Sequence, residues 1–149
     1  MPPTSTPSKA APKAVVIRPR NQPVADRGGG NRTIPLVMPG IGARQLINGI
    51  TIIAPGGAIG EHFHDCEESV IVLDGAAIAV IGGTEHPAGP GDTCWIPPGI
   101  PHYFRNASTT EALRIFWTYA SVTATRTLVA TGETRPVAAE HAADKLLHP

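Results

Sequence analysis

An all-β sandwich or barrel is the fold class this sequence predicts, on three observations. Short runs rich in valine, isoleucine, threonine and aromatics, such as SVIVLDG, TCWIPPG and ALRIFWTYASV, alternate with Gly, Pro, Asn and Asp at intervals of about ten residues. Glycine and proline are frequent, 16 of each in 149 residues, which favours many short elements joined by tight turns. Helical spacing occurs only in the final segment, AAEHAADKLLHP. Strands and turns with no helices between them describe antiparallel pairing rather than βαβ units.

Taken in order, residues 1–13 are rich in Pro, Ser, Thr and Ala and lack large apolar side chains, so they cannot offset the entropy lost on ordering and are expected to be a disordered tail. AVVIR (14–18) has the composition of a short strand, able to pair with another subunit, and ADRGGGN (25–31) reads as a flexible connection. These two make a segment 14–33. The β-type runs begin at Ile34 and continue to about residue 125, which bounds the expected barrel, and 126–149 is left as a C-terminal extension ending in a short helical turn.

The composition narrows the partners. Formal net charge is zero and no basic stripe occurs, so the long-range attraction that nucleic acid or an anionic membrane surface requires is missing. Cys66 and Cys94 are too few for a disulfide scaffold, the first residues hold no apolar core of a signal peptide, and no apolar run approaches the roughly 18 residues of a membrane span. The expectation is a soluble, cytoplasmic protein of one domain that acts on a small molecule.

The chemistry concentrates in GGAIGEHFHDCEESVIVLDG (56–75). In a strand, residues two apart face the same side, so His62 and His64 project together while Phe63 turns away. Such a pair is a surface accident, a hydrogen-bonded core pair or two ligands of a metal. A hairpin between this strand and the run opened by Glu68 would set that carboxylate beside the imidazoles. A further histidine, His102, follows a Pro/Gly turn in GDTCWIPPGIPHYFRN (91–106).

These two stretches resemble the two motifs of the cupin family. Gly56, His62, His64, Glu68 and Gly75 stand at the intervals of the first, and Gly91, Pro97, Gly99, His102 and Asn106 at those of the second. The span from one motif to the other covers about a third of the chain, and joint agreement at so many fixed positions is far more specific than a lone His-x-His. The resemblance implies a jelly-roll β-barrel and a metal held by His62, His64, Glu68 and His102. Gly75 and Gly99 fall where turns need positive φ, and Pro97-Pro98 cannot continue a central strand. The family hosts dioxygenases, decarboxylases, isomerases, lyases and plain binding proteins, so it leaves the reaction open.

Three imidazoles and one carboxylate suit one divalent transition metal, Fe, Mn, Ni, Cu or Zn, and six-coordination would leave two positions for water, oxygen or substrate. An anionic substrate that chelates through two oxygens fits the resulting charge. The favoured activity is an Fe(II)-type dioxygenase, an oxidoreductase, ahead of a non-redox isomerase or lyase and of a ligand-binding or sensor module without catalysis. A homodimer is expected from family habit and from the detached strand 14–18.

Candidate substrate contacts are Phe104, which shares the parity of His102, together with Arg114, Phe116 and Arg44; Asn106 and Gln45 are weaker candidates of the same kind. LRIFWTY offers two alternating faces, Arg114, Phe116 and Thr118 or Leu113, Ile115, Trp117 and Tyr119, and the sequence leaves the inward one open. An inward Arg114 would clamp a carboxylate. Tyr103 is expected to face away from the metal, Glu61 and Glu67 to be solvated or structural, Cys66 and Cys94 not to be ligands, and His86, His141 and His148 to be exposed.

Overall fold

The computed structural model describes residues 11–138. Twelve antiparallel strands form two six-stranded sheets. The first sheet contains β1 (Ala25–Gly28), β2 (Asn31–Pro35), β3 (Ile47–Ile53), β5 (Glu68–Asp74), β8 (Thr93–Ile96) and β10 (Leu113–Tyr119), in the spatial order β1-β2-β3-β10-β5-β8. The second contains β4 (His62–His64), β6 (Ala77–Ile81), β7 (Thr84–Ala88), β9 (His102–Asn106), β11 (Thr125–Leu128) and β12 (Thr134–Pro136), ordered β12-β11-β4-β9-β6-β7. Each ladder ends in edge strands, so the expected barrel is an open pair of sheets. Among the described residues, no helix is long and apolar enough to cross a membrane.

The core lies between the sheets. Ile47 and Ile53 on β3, Val70 and Val72 on β5, and Leu113, Ile115 and Trp117 on β10 meet Ala77, Ala79 and Phe104 from the opposite sheet, all of them buried. Strict alternation on β10 buries every odd-numbered residue from 113 to 119, as a strand packed on one face requires. The turns use the residues that the sequence marks. Gly75 (φ +96°) and Gly99 (φ +79°) both adopt left-handed backbone, and a Cβ at Gly75 would also lie 2.7 Å from the Ala112 carbonyl oxygen. Asn106 is structural rather than a cavity residue: its Nδ2 lies within hydrogen-bonding distance of the carbonyls of Ile53, Ala54 and Glu111.

Three expectations change at the ends of the chain. Residues 14–18 form no strand; Val15 and Val16 are exposed, and the segment finds no ladder partner before a 3-10 turn at Pro19–Asn21. ADRGGGN is an ordered hairpin instead of a flexible connection: β1 pairs with β2, Gly28 to Gly30 all take positive φ, and Gly28 N–H donates to Asp26 Oδ1 at 2.7 Å. Beyond residue 125 the chain is still part of the second sheet, because β11 pairs with β4 and β12 with β11. The expected C-terminal helical turn and His141 and His148 lie outside the described residues, as does residues 1–10 of the expected tail.

Candidate metal centre

His62 and His64 are fixed by β4, whose neighbours on either side are β11 and β9. His62 sits directly opposite His102 in the β4–β9 ladder, so two histidines distant in sequence become cross-strand partners. Glu68 comes from the other side. The expected hairpin between β4 and β5 does not exist, because Asp65, Cys66 and Glu67 carry the chain across from the second sheet to the first. Asp65 anchors that crossing by accepting from the Thr125 N–H at 2.8 Å. The carboxylate therefore meets the imidazoles face to face across the core.

All four side chains are buried. One ring nitrogen from each of His62, His64 and His102 lies within 4.8 Å of the others, and the ring centroids are 4.5–5.3 Å apart. Glu68 Oε1 is 2.9 Å from His102 Nε2, and its Oε2 is 3.8 Å from His64 Nε2. The outer nitrogens share one arrangement. Nδ1 of His62 lies 2.7 Å from Gly60 O, Nδ1 of His64 is 2.9 Å from Thr125 O, and Nδ1 of His102 is 2.8 Å from Ile100 O. A carbonyl only accepts, so each Nδ1 carries a proton, and in the neutral rings of His62 and His64 Nε2 is left with its lone pair.

Burial, followed by the positive charge of Arg126, holds His62 well below the usual imidazole range; His64 is also lowered by burial, partly offset by Glu68. Both are neutral imidazoles at pH 7. Arg126 Nη2 approaches His62 Nδ1 to 3.4 Å, but two donors face each other there, so this contact acts through charge and not as a hydrogen bond.

The donor set fits a divalent transition metal. Among the described residues, His64 Nε2 is buried and has no hydrogen-bond partner. At His102, hydrogen bonds to Ile100 O and to Glu68 need a proton on each ring nitrogen, or a cation in place of the inner one. Inward-facing Nε2 atoms with outer N–H groups held by main-chain carbonyls make the arrangement in which imidazoles bind metals. The three histidines could hold such an ion, with Glu68 in reach as a fourth group.

A cavity of about 160 Å³ opens beside this cluster and touches it through His62 and Glu68, while His64 and His102 lie behind. Phe104 lines it as expected. Arg114 and Phe116 do not, which corrects their placement: strand parity turns them to the outer face, where Arg114 Nη1 bonds Asp74 Oδ2 at 2.8 Å. Arg44 is also corrected, since it lies with Gln45 in the exposed loop before β3, beside a shallow surface groove. Tyr103 is half-buried on the opposite parity to His102, His86 is exposed, and Glu67 accepts from Trp95 Nε1 at 2.9 Å. Cys66 is half-buried in the crossing turn, outside the histidine cluster, and burial together with Asp65 pushes its thiol up to about 11.

Trp117, Tyr119, Arg27 and Arg126 line the cavity although none was among the candidate substrate contacts, and Trp117 and Tyr119 belong to one of the two faces that the sequence left open. Trp117 and Tyr119 belong to the inward face of β10. Trp117 Nε1 donates to Thr51 Oγ1 at 2.9 Å, and Tyr119 packs its ring 4.5 Å from that of His64. The Tyr119 hydroxyl bonds Glu68, and burial first, then that carboxylate, holds it protonated well above the ordinary phenol range. Arg27 on β1 and Arg126 on β11 complete the wall. Alternation on β10 could have found the aromatics once one face was chosen; no local signal marks the arginines, which arrive through topology.

Comparison with known proteins agrees with this architecture. The model of the Cupin domain matches residues 49–119, which include all four groups of the centre. A protein of Streptomyces cyaneus described as "Polyketide synthase CurC" is 33% identical over 109 residues, covering 72% of this chain and 70% of the relative. "Protein SchB" of Streptomyces halstedii is 35% identical over 91 residues, covering 60% and 65%. Among solved structures, the polyketide cyclase RemF of Streptomyces resistomycificus superposes with a TM-score of 0.68 at 21% identity, over 84% of this chain and 86% of that one, a likeness of fold. With both motifs placed on facing sheets around one buried cluster, the chain belongs to the cupin family.

Proposed function

We propose that this protein is a metal-dependent cupin enzyme that closes a ring in a poly-oxygenated, polyketide-type substrate without net oxidation. The observation that carries this reading is a cluster of buried imidazoles facing a carboxylate at the wall of a ring-sized, aromatic-lined cavity, in a chain with a 33%-identical relative described as a polyketide synthase. His62, His64, His102 and Glu68 would hold one divalent transition metal. When bound, such an ion supplies Lewis acidity that polarises a carbonyl and acidifies the adjacent C–H. Aldol closure then needs a proton taken from a methylene between two carbonyls, a new C–C bond to a second carbonyl, and loss of water. It needs no oxidant.

The side chains around the cluster serve that chemistry. Phe104, Trp117 and Ile115 form flat apolar walls that keep water out and favour a folded chain over an extended one. Tyr119, protonated and bonded to Glu68, fixes the orientation of the carboxylate. Because β10 supplies the aromatic wall and the Glu68 partner together, substrate shape and centre geometry are set by one strand.

The test is anaerobic incubation of a synthetic linear aryl-capped β-polyketone with protein loaded in turn with Fe(II), Mn(II), Ni(II) and Zn(II), with products read by mass spectrometry. The expected outcome is a cyclised, dehydrated product with more than one of these metals, absent with His64→Ala. Turnover that requires both oxygen and Fe(II) would replace this reading with the dioxygenase that the ligand set alone suggests.

A further inference from the structure

We propose that the hydroxyls of Thr33 and Thr51 form a substrate-binding subsite, in which the Thr33 O–H donates to a ketone oxygen at the end of the cavity away from the histidines. The inference deepens the ring-closure reading and rests on it for the poly-oxygenated nature of the substrate. Thr33 on β2 and Thr51 on β3 stand directly opposite each other in the β2–β3 ladder. Both line the cavity, yet Thr33 is only 3% and Thr51 only 6% exposed.

Counting hydrogen bonds leaves one donor over. The Trp117 indole N–H can only donate, and it donates to Thr51 Oγ1 at 2.9 Å; Thr51 Oγ1 in turn lies 3.1 Å from Thr33 Oγ1. The two hydroxyls carry two protons and share one hydrogen bond, so in either order one O–H has no acceptor among the described residues. A chain that runs in one direction, from indole to Thr51 to Thr33, lets each bond polarise the next and leaves the outer proton on Thr33. A donor buried without an acceptor is costly, and an oxygen entering the cavity removes that cost. Asn31, the neighbouring buried polar residue of the wall, is engaged by the main chain instead: its Nδ2 donates to Ala58 O and its Oδ1 accepts from the Ala54 N–H, both at 3.0 Å.

The ladders set this donor apart from the histidine cluster. Glu68 stands opposite Tyr119 on β10 and Thr51 opposite Ile115, so the hydroxyl pair lies four residues along that strand from the level of Glu68, roughly 13 Å. Trp117 falls between the two levels, and Phe104 lines the same cavity from the facing sheet. A cavity of about 160 Å³ accepts one benzene-sized ring. A ring lying on the indole therefore directs one end towards His62 and Glu68 and the other towards Thr33. The ligand that fits carries an oxygen at each end, one for the cluster and one for the hydroxyl. Apolar walls alone select on shape, whereas a fixed donor rejects an analogue that lacks the oxygen.

The experiment is titration calorimetry of the full-length protein, metal-free and Zn(II)-loaded, with acetophenone and with ethylbenzene, which has nearly the same shape and no oxygen. Two variants are measured alongside, with melting temperature and metal content recorded for each. Thr33→Val keeps the branched shape and leaves the bond between Trp117 and Thr51 in place, and Thr33→Ser keeps the hydroxyl. A cavity without a donor favours the hydrocarbon, because the ketone must give up its water. The wild type is expected to bind acetophenone at least as tightly as ethylbenzene in both metal states. The ketone-to-hydrocarbon affinity ratio should fall about tenfold in Thr33→Val and stay within about twofold of the wild type in Thr33→Ser. If Thr33→Val fails to fold, the ratios in the wild type and in Thr33→Ser decide. Preference for the hydrocarbon in the wild type, a ratio unchanged in Thr33→Val, or a ketone preference that appears only with Zn(II) overturns the subsite. Cyclisation of the linear polyketone alongside any of these three results would leave the ring-closure reading standing alone, and the expected ratios without cyclisation would leave the subsite alone.

Discussion

Tyr119 and Cys66 show how single side chains divide between positioning and packing. Tyr119→Phe removes the hydroxyl bonded to Glu68 while keeping the ring packed, tilted, against His64. The expected result is metal affinity weakened about tenfold, measured by competition with a chelator, with the fold intact. Cys66, pushed up to about 11, should react with iodoacetamide at pH 8 about a hundredfold more slowly in the native protein than in denaturant, read by mass spectrometry; equal rates would mean that the crossing turn opens freely. At this scale the set His62, His64, Glu68 and His102 came from the resemblance to the two cupin motifs, and the structure brings the four side chains together. Arg114 and Phe116 were misplaced for a physical reason. Phe116 stands opposite Ile50 on one side and Ile71 on the other, so the outer face of β10 carries its own apolar row and the alternation that reveals an inward face is blurred.

Strands set the cavity as much as side chains do. Gly49 on β3 lies opposite Trp117, and a Cβ there would meet the indole at 2.5 Å and the Ile34 carbonyl oxygen at 2.7 Å. Neither the indole, wedged in the core, nor the main chain of β2 can yield cheaply. Gly49→Ala is expected to cost about 1–3 kcal/mol and to displace Trp117, seen as a lower melting temperature together with a changed tryptophan emission spectrum. The same scale explains the missed hairpin. Three consecutive glycines read as looseness, yet their positive φ values, with the Asp26 cap, close β1 onto β2. Strand content was thus visible in composition, whereas pairing depended on contacts between distant segments. The crossing from β4 to β5 is of that kind, since a hairpin and a change of sheet look alike in sequence.

For the whole molecule, the buried histidines tie stability to pH. An unfolded chain takes up protons on His62 and His64 near the ordinary value of 6.5, whereas the native state resists them. The unfolded state therefore binds more protons below that pH, and native stability, fully present above about 6.5, falls as pH drops, by up to about 1.4 kcal/mol per pH unit for each proton. Metal-free protein should lose melting temperature steadily from pH 7 to pH 5, while the metal-loaded protein should hold its own until the ion is released. Identical profiles for the two forms would argue against ion binding at these residues. Because β4 and β9 stand in one sheet and β5 in the other, a bound ion would also link the two sheets, so its removal should lower the melting temperature at neutral pH as well.

The acceptors behind the three imidazoles are the carbonyls of Gly60, Ile100 and Thr125, all of them main chain. A carbonyl survives any substitution of its own residue that leaves the backbone path intact, so the orientation of the rings is insulated from most single mutations around them. The side chains that line the cavity have no such protection. The architecture therefore separates a mutationally robust cluster from a changeable cavity wall, and the lining can drift by point mutation without disturbing the histidines.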